Sequence, residues 1–107
     1  MSEKIYKTTI PIYGTKLTLV VTDKVRAYSK EHCSDDNNCI AFTAWIKGKL
    51  HIVIPRRKNV IGVIAHEAFH AAAEILDHHD AKWGVSNQEP IAYLLGYIMD
   101  WVNKVAK

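Results

Sequence analysis

The feature that most constrains this chain is a single change of hydrophobic period near its middle. Before Pro55 the apolar residues alternate. Ile10 and Ile12, then Leu17, Leu19 and Val21, recur at period two, the spacing of half-buried strands. After Asn59 the period becomes helical. Ile61, Ile64, Ala65, Ala68, Ala72 and Ile75 form one stripe, and Ile91, Leu94, Leu95, Ile98, Val102 and Val105 form a second. A chain that switches period once is expected to fold as strands followed by helices.

Punctuation sharpens that expectation. Tyr13-Gly14-Thr15 reads as a turn between the first two strands, and Lys47-Gly48 as a turn between Ile40–Ile46 and Leu50–Ile54. Pro55 closes the last strand because proline cannot donate to a ladder. Asp23 is placed to cap a short helix over Lys24 to Glu31, Asn59 a helix running to about Leu76, and Asn87 a final helix with Pro90 in its first turn. The predicted fold is α+β: a small antiparallel sheet of two hairpins with a short helix, then two long helices packed on it.

At 107 residues the chain is expected to be one domain, 1–107. No apolar run is long enough for a membrane helix. The start, Met1-Ser2-Glu3-Lys4, lacks the apolar core of a signal peptide, so the expected location is the cytoplasm. Two free thiols are the default there for Cys33 and Cys39, which flank a polar loop. A net charge of +3 and the run Arg56-Arg57-Lys58 read as a solvated loop rather than a nucleic-acid contact, so nucleic acid is not an expected partner. Trp45, Trp83 and Trp101 suit either a core or an interface.

The chemistry concentrates in the first long helix. His66 and His70 are one turn apart, rotated by about 40° and separated by about 6 Å along the axis. Two imidazoles so placed can meet one ion. Glu67, about 100° from His66, suits a general base better than a third ligand. His-Glu-x-x-His therefore reads as two zinc ligands plus a base. A hydrolytic zinc site needs a third protein ligand and one open position. Glu74 lies about 12 Å from His66 along the axis, too far for both to share an ion. His78 and His79 follow the expected helix end and could fold back. Glu89, 19 positions after His70 and at the start of the last helix, is preferred. An antiparallel partner helix would bring it back toward the pair.

His66-Glu67-Ala68-Phe69-His70 followed by Asn87-Gln88-Glu89-Pro90-Ile91-Ala92-Tyr93 resembles a gluzincin, the thermolysin-like class of zinc metallopeptidases. The short chain with strands before two helices is similar to the minimal minigluzincins and to small repressor-cleaving proteases of phages and mobile elements. The resemblance covers the second half well and the first half in layout only. It implies a Zn2+ cofactor held by His66, His70 and Glu89, and peptide hydrolysis by a zinc-activated water with Glu67 as general base. It also implies an extended protein or peptide substrate paired along strand 50–54. Tyr93 is the candidate catalytic residue for the oxyanion, with Tyr97, His78 and His79 as alternatives. The aspartate that orients a zinc histidine in the thermolysin pattern is replaced by Tyr93. The other reading is a zinc-containing binding module of the same fold that sequesters a protein partner without cleaving it. Self-association that fills the cleft stays open.

Overall fold

The computed structural model describes residues 3–33, 40–57 and 60–106. In chain order the elements are β1 (Lys4–Thr9), β2 (Lys16–Thr22), α1 (Val25–Cys33), β3 (Phe42–Ile46), β4 (Lys49–Pro55), α2 (Ile61–His78) and α3 (Glu89–Val105). The fold is a small α+β unit. Among the described residues no helix is long and apolar enough to cross a membrane.

The sheet is mixed rather than antiparallel, in the order β1-β2-β4-β3. β1 pairs β2 and β3 pairs β4 antiparallel, but β2 pairs β4 parallel, with Leu17 opposite Leu50 and Val21 opposite Ile54. The cause is the connection. α1 and β3 carry the chain back to the starting end before β4 begins, and such a return makes neighbouring strands parallel. β4 has both ladder edges filled, so residues 50–54 cannot pair an added peptide strand, and that expectation is corrected. The edge strand on this side is β3.

Period-two alternation divides the sheet into two faces. Leu17, Leu19, Leu50, Ile52 and Ile54 join Ala68, Ala72, Ile75, Leu94, Ile98 and Val102 in one core under α2 and α3. Val20 and Val53 point the other way and meet Val25 and Tyr28 of α1. On β3, Thr43 and Trp45 therefore face α2, while Phe42 and Ala44 pack on the α1 side.

Several local expectations shift. Lys47 and Gly48 both take positive φ, 53° and 78°, as a tight two-residue hairpin turn requires. Ile10 and Ile12 are not strand residues. β1 ends at Thr9, Ile10 is buried just after it, and Ile12 sits in a turn at φ 72°, 85% exposed. The Thr22 hydroxyl accepts from the Lys24 amide before α1. Asn87 does not cap α3: its side-chain amide donates to Lys82 O in the preceding loop, and Gln88 occupies the cap without a side-chain bond. Asn59 and the Cys33–Cys39 loop lie outside the described residues or side chains.

Candidate metal centre

α2 carries the whole motif, and its buried face is rotated from the one its apolar residues suggest. Glu67, Ala68, Ala71, Ala72, Ile75 and Leu76 are buried, whereas Ile61 is 63% exposed. Glu67 turns inward because β3 offers it a partner. The Thr43 hydroxyl donates to Glu67 Oε1 at 2.7 Å and also lies 3.1 Å from the Glu67 carbonyl oxygen. A buried carboxylate is tolerated only with such a donor. No buried side-chain polar atom among the described residues lacks a partner.

His66 and His70 face outward on the same side of α2 and are exposed. Their Nε2 atoms are 3.1 Å apart with the rings edge to face. Zinc–nitrogen bonds of about 2.0–2.1 Å at the tetrahedral angle place two imidazole nitrogens about 3.3 Å apart. The pair thus has the bite of a two-histidine chelate. Glu67 Oε2 stands 4.0 Å from His66 Nε2, beside the position such an ion would take. At two corners the donors fit zinc.

The third corner is not assembled. Among the described residues no three His, Cys, Asp or Glu side chains converge closely enough to hold an ion. The placement of α3 explains why Glu89 stays apart. Ala106, just past α3, shares a cavity with Val60 and Ile64 at the start of α2. The helices have 17 and 18 residues and run side by side in opposite senses. Counting back at 1.5 Å per residue puts Glu89 beside the end of α2, roughly 13 Å past His70 along the axis.

The other candidates have partners of their own. Glu74 accepts from the Trp45 indole at 2.9 Å. His78 belongs to α2, which runs two residues further than expected, and its ring lies 4.9 Å from that of Trp45. His79 Nε2 is 3.3 Å from the Thr15 hydroxyl, with Tyr13 against its ring. Tyr93 is 44% exposed and lies beside Tyr97, ring centres 6.4 Å apart, on α3. Phe69 and Trp83 meet edge to face at 5.7 Å next to His70 and leave an aromatic shelf there.

Thr43 is the residue that sequence reasoning missed. Its one signal was alternation: it shares a face with Trp45 in a strand whose other face is apolar. No protein-family model, curated protein or solved structure matches this chain.

Proposed function

We propose that the chain is a zinc-dependent peptide hydrolase centred on His66, Glu67 and His70, in the manner of a gluzincin. The observation that supports this most is the joint geometry of the triplet. Two exposed imidazoles stand at chelating distance, and a carboxylate beside them is held in one orientation by Thr43. A bound divalent ion supplies water activation and carbonyl polarisation. Glu67 takes and returns the proton, and the Thr43 hydroxyl fixes Oε1 so that Oε2 faces the reacting side. Edge strand β3 replaces strand 50–54 as the element that pairs an extended substrate. Tyr93 keeps its proposed role at the oxyanion.

For the third ligand Glu89 has a rival. Asp100 is exposed on the same face of α3, and the same count places it level with Ala68, between the two histidines. Zinc affinity of Glu89→Ala beside Asp100→Ala decides between them.

Glu67→Gln should retain zinc and lose cleavage of a fluorogenic peptide library; undiminished cleavage removes Glu67 as the base. The second reading is a zinc-holding binding module that sequesters a protein partner without cleaving it. Stoichiometric zinc with no cleavage of any library peptide by the wild type selects it.

A further inference from the structure

The face of the sheet opposite α2 is only partly covered. α1 packs over Val20 and Val53 and leaves Lys7, Lys16 and Lys49 of the neighbouring rows exposed around a buried Thr18. In one row Lys7 pairs across to Thr18, and Thr18 to His51. In the next, Thr9 pairs with Lys16, and Lys16 and Lys49 each stand one residue before the paired Leu17 and Leu50. Strands about 4.8 Å apart and a two-residue step of about 7 Å bring Lys7, Lys16, Lys49 and His51 into a patch roughly 10 by 7 Å. Lys47, in the β3–β4 turn, and His32, at the end of α1, border it.

Two adjoining cavities mark this face, of about 330 and 260 Å³, and both are lined by Lys7, Thr18 and Lys49. Neither is lined by a carboxylate among the described residues. Among the described residues none of the four lysines makes an ion pair there, and Glu31 stands 3.8 Å from His32 at its border. Burial holds His51 below its ordinary pKa, with smaller contributions from His32, Lys49 and Lys7 and against a hydrogen bond to Lys49 O that works the other way. Like charges gathered with no counter-charge among the described residues are costly to keep unless an anion offsets them.

We infer that this basic sheet face binds the phosphate backbone of a nucleic-acid duplex without reading its sequence. Lysines are point-charge phosphate partners, and the exposed Thr9, whose hydroxyl accepts from Lys16 Nζ at 3.3 Å, adds a hydroxyl beside them, the kind of contact set that positions a backbone. Exposed aromatic rings, which a single strand would need for stacking, do not line the two cavities. Tyr28 is the single aromatic apart from the histidines, and it is buried. The patch draws on five elements spread from residue 7 to residue 51, so no basic run in the sequence marks it. It lies across the sheet from α2, and it stands or falls independently of the metal centre.

Fluorescence anisotropy of a short labelled DNA duplex with the 107-residue chain tests this. Four phosphate contacts give a slope of log K against log salt of about −3.6, which is on the order of a 100-fold loss between about 50 and 200 mM salt. Lys7→Ala/Lys49→Ala should flatten the slope by about 2 and weaken binding at least about tenfold at the lower salt. Arg56→Ala/Arg57→Ala, on a different surface, should bind as wild type. Circular dichroism establishes that both variants are folded. Unchanged binding by the lysine variant, an equal loss in the arginine variant, or tighter binding to phosphatidylserine vesicles or polyglutamate than to the duplex would each overturn the inference.

Discussion

Thr43→Val removes a single hydroxyl and leaves the shape of β3 intact, and its consequence can be worked out from the Glu67 geometry. The lost bond is short, 2.7 Å, and ends on a side chain that is 8% exposed. Hydrogen bonds to charged groups contribute about 1.5–3 kcal/mol, and the larger part of the loss is the desolvation of the orphaned partner. The expected destabilisation is therefore about 2 kcal/mol, which lowers Tm by roughly 8 °C or more in a domain of this size. Urea unfolding followed by far-ultraviolet circular dichroism measures it. Glu67→Leu supplies the control, since removing the buried carboxylate removes the need for its donor. In that background Thr43→Val should cost less than about 0.5 kcal/mol, so the coupling in the cycle is about 1.5 kcal/mol or more. Equal costs in both backgrounds would refute the claim that Thr43 acts by satisfying Glu67. In the proposed enzyme the same substitution should lower kcat while leaving zinc affinity unchanged, because Thr43 touches the base and not the ligands.

Further expectations concern the rest of the molecule. Leu94 of α3, fully buried in the core that both long helices share with the sheet, should cost about 2–5 kcal/mol on truncation to alanine, read from the urea midpoint. Ile12 is a β-branched residue held at φ 72° and exposed, so Ile12→Asn should raise stability by roughly 1 kcal/mol in the same assay; a loss would mean that the isoleucine side chain has a role of its own. His51 has its pKa lowered in the fold, so the unfolded chain takes up the proton first. Its contribution to stability is complete above about pH 6.5 and declines as the pH falls through 6.5 toward the folded value. His51→Gln should flatten the acid-side fall in urea midpoint.

How much could be read from the amino-acid order depended on the range of the interaction. The turn at Lys47-Gly48 was legible because glycine and its neighbour decide it locally. The helix that presents His66 and His70 was legible because spacing alone sets it. The parallel pairing of β2 with β4 was not, since it depends on where a 26-residue excursion returns, from Thr22 to Lys49. The inward turn of Glu67 was hidden for the same reason: Thr43 is 24 positions away, and a helical wheel holds no information about what lies opposite it. Asn87 looked like a cap by residue type, but Lys82 O competed successfully for its side chain. Glu89 was attractive by spacing, yet the register of α3 against α2 is set by packing along two whole helices rather than by the length of the connection. The lysines of the sheet face were invisible because alternation and strand order, not adjacency, bring them together.

Metal binding by the His66–His70 pair is the claim on which the functional account rests. Isothermal titration of zinc into the metal-free protein, repeated with His66→Ala and His70→Ala, measures it directly. The account predicts one zinc ion per chain for the wild type and a loss of affinity of at least about 100-fold for each variant, in line with the removal of one of few ligands. Absence of stoichiometric binding by the wild type, or binding that survives both substitutions, would contradict it.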